Sequence, residues 1–294
     1  MAGLLDFIGN TPLVEIKHLN PNPAVKIYAK LEGHNPGGSV KDRAALSLIK
    51  GALERGQIKP GDKLIEATSG NTGIALAMIA RLFELEIELV MPDNSTKERV
   101  LTMEAFGAKV ILTPAAISME GARDYAENKV KEGGYIMLNQ FGNPDNWKGH
   151  YTSTGPEIWK DTEGKITHFV SSMGTTGTIM GVSRFLKEKN PNIQIVGVQP
   201  DETARIPGIR RWPKEYLPKI FEAHRVDRTL DVSEHDAIAM TRLLAKKEAI
   251  FAGMSSGGAM FTAIKLAEEL KEGVIVSIVC DRGDRYLSSN LFGE

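Results

Sequence analysis

The chain reads as an α/β protein with mostly parallel sheets. Three observations predict this. Short β-branched runs alternate with longer segments of helical spacing, those segments are long enough to act as crossovers, and several glycine-rich turns fall where a strand gives way to a helix. Strands are expected over 63–67, 87–91, 109–112, 135–138, 167–171, 193–198 and 274–279, each apolar enough to be buried on both faces. Helices are expected over 72–81, 97–106, 119–131, 178–189, 234–247 and 257–270. A further helix starts near Val40, where Ala44, Ala45, Leu48, Ile49 and Ala52 share one face and Ser39 with Asp42 reads as a capping pair. No repeat or low-complexity tract interrupts the pattern, so any domain boundary is crossed by folded chain, with the Asn143-Pro144-Asp145-Asn146 turn as the expected crossing.

Composition narrows the function. The 294 residues are 42% hydrophobic, enough for one large or two moderate cores. The formal charge is -1 and no basic run with interleaved aromatics occurs, which argues against a nucleic-acid partner. The longest clean apolar stretch, 74–80, is far too short to cross a bilayer, and the first residues lack the features of a secretory signal. A cytoplasmic protein acting on small molecules is expected. One cysteine, Cys280, admits no internal disulfide, and the six histidines show no metal-ligand spacing, so no metal site is expected.

The chemistry concentrates in turns that should gather at the carboxyl ends of strands, where ligands bind in sheets of this class. Asn35-Pro36-Gly37-Gly38-Ser39-Val40-Lys41-Asp42-Arg43 places Lys41 where a glycine-rich turn meets the first helical turn. An amine held there and partly desolvated is suited to Schiff-base chemistry, whereas an ordinary first-turn lysine would sit in water. Gly174-Thr175-Thr176-Gly177-Thr178 presents main-chain N–H groups and hydroxyls at a helix N-terminus. It is either a phosphate cradle or a tight turn with threonine caps, and it lacks the spacing of nucleoside-triphosphate or dinucleotide motifs. Thr68-Ser69-Gly70-Asn71-Thr72-Gly73 is a second such turn, suited to a carboxylate or simply well capped. In a third, Gly253-Met254-Ser255-Ser256-Gly257-Gly258, a serine either caps a helix or meets a ligand ring nitrogen.

Taken together, the segments 35–43, 68–73, 174–178, 255–258 and 281–287 closely resemble the cysteine synthase family of pyridoxal-phosphate enzymes. The likeness runs essentially end to end, from Ile8-Gly9-Asn10-Thr11-Pro12-Leu13 through Gln140-Phe141-Gly142-Asn143-Pro144. Three features are similar to B-type members: Thr176 in the phosphate loop, Pro207-Gly208-Ile209-Arg210-Arg211-Trp212-Pro213, and Cys280-Asp281-Arg282-Gly283-Asp284-Arg285-Tyr286. A-type members typically carry a Gly-Gly pair in the loop and lack the double arginine.

The resemblance implies fold type II: two three-layer α/β domains with pyridoxal 5'-phosphate in the cleft between them. A smaller, mobile N-terminal domain would span 36–146, and a larger cofactor-anchoring domain would combine 1–35 with 147–294, with an early strand near Pro12 crossing to it. Lys41 would form the internal aldimine and Asn71 would hydrogen-bond the phenolic oxygen. Gly174, Thr175, Thr176, Gly177 and Thr178 would hold the phosphate, and Ser255 would face the pyridine nitrogen. Thr68, Ser69, Thr72 and Gln140 would bind the substrate carboxylate.

The implied reaction is β-replacement, O-acetyl-L-serine plus sulfide giving L-cysteine and acetate in cysteine biosynthesis, with thiosulfate giving S-sulfocysteine. Arg210 and Arg211 beside Trp212 would favour that anionic donor, unless they are a solvated basic turn with a packed aromatic. A neutral Ser255 would not keep the ring nitrogen protonated, which favours concerted β-elimination over transamination. Cys280 would lie near the cleft without a catalytic role. A homodimer is implied, and a complex with serine acetyltransferase is not expected, as B-type relatives generally form none. The alternatives are serine or threonine dehydration, a condensation of the cystathionine β-synthase type, or a catalytically silent binding protein. Intact Lys41 argues against the last, and a chain closing just after Tyr286-Leu287-Ser288 leaves no room for an appended regulatory domain.

Overall fold

A computed structural model describes residues 3–68 and 70–293; Ser69 lies outside the described residues. In chain order the main elements are β1 (Leu13–Glu15), β2 (Val25–Leu31), α1 (Lys41–Glu54), β3 (Lys63–Ala67), α2 (Asn71–Leu82), β4 (Glu86–Pro92), α3 (Lys97–Ala105), β5 (Lys109–Thr113) and α4 (Ser118–Glu132). Then follow α5 (Asp145–Gly149), α6 (Gly155–Asp161), β6 (His168–Ser172), α7 (Gly177–Lys189), β7 (Gln194–Pro200), β8 (Arg228–Val232), α8 (Glu234–Glu248), α9 (Met254–Glu269) and β9 (Gly273–Val279). A π-helical turn, His150–Thr154, joins α5 to α6.

Among the described residues the strands form two sheets, β1-β2-β9-β6-β7-β8 and β3-β4-β5. Every pairing is parallel except β1 with β2. Each sheet is covered on both faces, as parallel strands require. One face of the larger sheet packs with α8 and α9 through residues such as Val196, Leu244 and Ile275, and the other packs with α6 and α7 through Phe169, Ile179 and Val276. In the smaller sheet, Leu48, Ile49 and Ile79 of α1 and α2 lie on one side, while Ala122 and Ala126 of α4 lie on the other. Fully burying side chains of the size of Leu48 or Ile49 stabilises the fold by about 1.5–3 kcal/mol each.

The expected elements are found with shifted ends, and four points differ. Residues 135–138 form no strand: Ile136 alone bridges to the edge of β3, exchanging hydrogen bonds with Ile65 N–H and the Lys63 carbonyl. The expected helix 257–270 begins at Met254, because Gly257 and Gly258 are helical residues whose missing side chains admit α8, not a turn. The turn before it follows a one-residue bridge, Ala252 to Arg282, rather than a strand. Ser39 and Asp42 are not a reciprocal cap: α1 has Val40 at its N-cap, Ser39 Oγ accepts from Lys41 N–H at 3.2 Å, and Asp42 Oδ2 accepts from Gly37 N–H at 2.5 Å.

A buried ionic cluster fixes α1. Arg43 pairs with Glu32 at 2.7 Å and Glu157 at 2.7 Å, and Lys30, wholly inside β2, pairs with Glu157 at 2.9 Å. Arg43 and Lys30 hold the Glu157 carboxyl down to about 2 although burial opposes this. Removing one partner from such a cluster leaves an uncompensated buried charge, at a cost of about 3–5 kcal/mol.

Candidate active site

Lys41 opens α1 and faces the carboxyl end of β9. The Val40 N–H donates to the Cys280 carbonyl at 2.8 Å, and Ser39 bridges Asp281, so the turn that delivers the lysine is stitched to the residues that follow β9. Burial pulls the Lys41 amine below its ordinary pKa, with Cys280 and Asp281 acting against it. The Cys280 thiol is itself pushed up to about 11 by burial, so Asp281 is the group left to oppose the fall at neutral pH. An amine in this setting loses its proton more readily than an exposed one.

The loop 174–178 leaves β6 and starts α7. Thr176, its N-cap, sits at φ 69°, a left-handed conformation that costs a threonine about 1–3 kcal/mol and persists only where its surroundings dictate it. Those surroundings are plain. The Trp212 indole N–H donates to the Gly174 carbonyl at 2.7 Å, and a Cβ on Gly174 would lie 2.5 Å from the Gly208 carbonyl oxygen. Thr178 Oγ1 lies 3.3 Å from Nε2 of His150, whose other ring nitrogen is 2.8 Å from Thr154 Oγ1. Burial, followed by the Arg43 charge, pushes His150 down to about 3, so its ring is neutral. Thr176 Oγ1 is buried and has no hydrogen-bond partner among the described residues. The loop thus joins main-chain N–H groups, hydroxyls and a helix N-terminus around a polar atom that lacks a partner.

The second turn leaves β3 and starts α2. Thr72 Oγ1 donates to Gln140 Oε1 at 2.9 Å, which brings two of the residues expected at the carboxylate together. Thr68 is buried beside them, with its Oγ1 3.5 Å from Gly70 N–H. Beneath Gln140, the Glu66 carboxyl, pushed up to about 7 by burial, accepts from the N–H groups of Asn139 and Gln140. Asn71 reaches across to the other sheet: its Nδ2 donates to Asp281 Oδ2 at 2.7 Å, and Arg285 donates to its Oδ1 and to the Gly37 carbonyl. Tyr286 Oη also donates to Asp281 Oδ2, at 2.6 Å.

Ser255 lies in the first turn of α9, buried, with its hydroxyl close to the Cys280 thiol and its carbonyl accepting from Ser172 Oγ at 2.7 Å. Gly208 passes alongside, its Cβ position 3.6 Å from Ser255 Oγ. This places Ser255 between the Gly174 loop and Lys41. The double arginine divides. Arg211 pairs with Asp231 on β8 and donates to the Pro200 carbonyl at 3.0 Å, while Arg210 lies over the Trp212 ring at 5.3 Å. Trp212 meets Phe141 edge-on at 5.6 Å. A cleft of about 1280 Å³ runs from Asn71 and Tyr286 past Gly208 to Arg210 and Trp212.

Sequence reasoning assigned no role to Asp281, Tyr286, Arg285, His150 or Asn146, all of which tie the site together. They fall within or beside matching segments, yet nothing in their spacing says what they touch. Within the turn Asn143-Pro144-Asp145-Asn146, expected as a crossing, Asn146 reaches both Gln140 and Thr175.

Comparison with known proteins agrees with this geometry. The family model described as "Pyridoxal-phosphate dependent enzyme" matches residues 4–281. The chain is 58% identical to cysteine synthase B of Pseudomonas aeruginosa, over 98% of this chain and 97% of the relative, and 57% identical to cysteine synthase B of Escherichia coli, over 100% and 97%. Among solved structures, cysteine synthase of Entamoeba histolytica superposes with a TM-score of 0.95 at 39% identity, covering 100% of this chain and 91% of that one. An O-ureido-L-serine synthase gives 0.94 at 36% identity, with 99% and 95% covered.

Proposed function

We propose that this chain, which belongs to the pyridoxal-phosphate dependent enzyme family and within it to the cysteine synthases, catalyses β-replacement: O-acetyl-L-serine and sulfide give L-cysteine and acetate. The residues present fit the cofactor. A phosphate dianion needs several N–H and O–H donors, which 174–178 supplies around the unpartnered Thr176 hydroxyl, and an aldehyde needs an amine of lowered pKa, which Lys41 supplies. When bound, the cofactor provides the electron sink that eases loss of the substrate Cα proton and β-substituent.

The chain's own residues do the rest. Lys41 Nζ anchors the cofactor, takes the Cα proton, and returns it after sulfur has added at Cβ. Gly174, Thr175, Thr176, Gly177 and Thr178 hold the phosphate, Asn71 faces the phenolic oxygen and Ser255 the ring nitrogen. Thr68, Ser69, Thr72 and Gln140 take the substrate carboxylate. Thiosulfate is a second donor, received by Arg210 above Trp212; Arg211 contributes less, because Asp231 already neutralises it. Residues 36–146 form the unit that moves against 1–35 plus 147–294 when substrate binds. The working form is a homodimer in the cytoplasm, without a serine acetyltransferase partner.

One observation supports the reading: a desolvated lysine beside Cys280 at the end of β9 and a hydroxyl-rich turn at the end of β6 follow neighbouring strands of one sheet, with Ser255 and Gly208 close by. Borohydride reduction of the cofactor-loaded protein followed by peptide mapping should label Lys41, and Lys41→Ala should lower kcat about 10³-fold. Label on another lysine, or none, removes the proposal.

A further inference from the structure

Asn146 is 2% exposed and occupies the second position of α5, a helix too short to stand alone. It is held from outside. Asp145 accepts from Arg55, the residue that caps the end of α1, at 2.5 Å, and a Cβ on Gly149 would come within 3.0 Å of the Arg43 carbonyl. Fixed in this way, Asn146 Nδ2 donates to the Gln140 carbonyl at 2.6 Å and to Thr175 Oγ1 at 3.0 Å. Both amide hydrogens are then used. Its Oδ1 fills the space that any side chain on Gly177 would need.

The hydroxyl of Thr175 has two acceptor positions and one hydrogen. It accepts from Asn146 and, at 3.4 Å, from Gly177 N–H, which leaves its hydrogen free to point into the cradle. On the other branch, Asn146 fixes the peptide of Gln140, whose side-chain oxygen accepts from Thr72. The geometry points to Asn146 as a positioning residue that joins the two anion sites, turning Thr175 into a phosphate donor while holding Gln140 in register for the substrate carboxylate. This rests on the proposed assignment of 174–178 to the cofactor and of Gln140 to the substrate.

The test compares wild type with N146A, N146D, T175V and N146A/T175V. Affinity of the apo-protein for pyridoxal phosphate is read from quenching of intrinsic fluorescence, and KM and kcat for O-acetylserine are read on fully loaded protein. Losing a hydrogen bond on each branch should weaken cofactor binding about tenfold in N146A and raise KM about tenfold, with kcat changed less than about threefold. In the T175V background, N146A should cost less than about twofold in cofactor affinity, since its partner is already gone, while the KM effect persists. N146D keeps the shape of the side chain but accepts where the amide donated, and should weaken cofactor binding more than N146A.

Unchanged cofactor affinity in N146A, an unchanged KM, or losses in N146A and T175V that simply multiply, each overturns the inference. If N146A does not fold, N146D decides: affinity equal to wild type overturns it. A wild-type protein that binds no pyridoxal phosphate overturns the cofactor assignment instead, so the two failures are distinguishable.

Discussion

The turns that open α7 and α2 are chemically alike and physically different. Both follow a parallel strand and present hydroxyls with main-chain N–H groups at a helix N-terminus. At α7 the turn is locked: Thr176 is strained, Gly174 has a carbonyl where a side chain would be, and Trp212 and Asn146 tie it from two sides. At α2, Gly70 is extended at φ -131° with no described residue beyond its chain neighbours within 4 Å of a Cβ position, and Asn71 is bonded to Asp281 and Arg285 beyond the other sheet. One site is finished before a ligand arrives; the other takes its shape from partners across the cleft. On the proposed assignment, the locked turn would hold a group that stays, the open part of the second turn around Gly70 would meet a substrate that comes and goes, and Asn71 would serve the cofactor from that second turn.

The sharpest way to break the comparison is to add one methyl group to each turn. Gly174→Ala should weaken cofactor binding by tenfold or more, an overpacking cost of ~1–3 kcal/mol, because the Gly208 carbonyl cannot move freely. Gly70→Ala should change the O-acetylserine KM by less than about twofold, within ~0.5 kcal/mol. Equal effects in cofactor titrations and steady-state kinetics would mean that the two turns are equally rigid.

A smaller effect probes the rim. Arg210→Ala should raise the thiosulfate KM several-fold more than the sulfide KM, and the gap should shrink with added salt, as for any exposed charge. Arg211→Ala should affect both donors alike, because the lost group is the partner of Asp231. A donor-selective loss in Arg211→Ala instead would reverse the division between the arginines.

A separate effect concerns stability under the locked turn. Folded His150 titrates at about 3, and the unfolded side chain near 6.5. The unfolded chain therefore takes the proton first, and stability from this site is full above pH 6.5 and declines as pH falls toward 3, at up to about 1.4 kcal/mol per pH unit. His150→Asn should remove that slope, seen as a narrower difference between urea midpoints measured at pH 7 and pH 5. An unchanged difference would mean that His150 is charged in the fold or already neutral in the unfolded chain.

How much of this was readable beforehand follows the range of the interactions. Parallel strands buried on both faces announce themselves, so β3 and β9 are found to within a residue or two. β2 is hidden because Lys26 and Lys30 interrupt its apolar run; Glu157 and Asp161 of α6 and the Thr11 carbonyl make the buried Lys30 tolerable there. β8 is missed because it is a short and mostly exposed edge. In the site, Lys41 and the two glycine-rich turns each lie within one short segment, so the sequence draws attention to them through neighbouring residues alone. Asp281, Tyr286 and Asn146 act across more than one element, and no local pattern encodes that. The double arginine shows the same limit: two adjacent like residues point to different neighbours, and only the position of Asp231 separates them.

The Val40 amide closes on the Cys280 carbonyl, and Arg43 closes on Glu157. Both partners lie later in the chain than α1. A chain ended before Cys280 would leave the Val40 amide without its acceptor, so the first turn of α1, although packed on α2 and the smaller sheet, depends for its exact placement on a residue that follows β9.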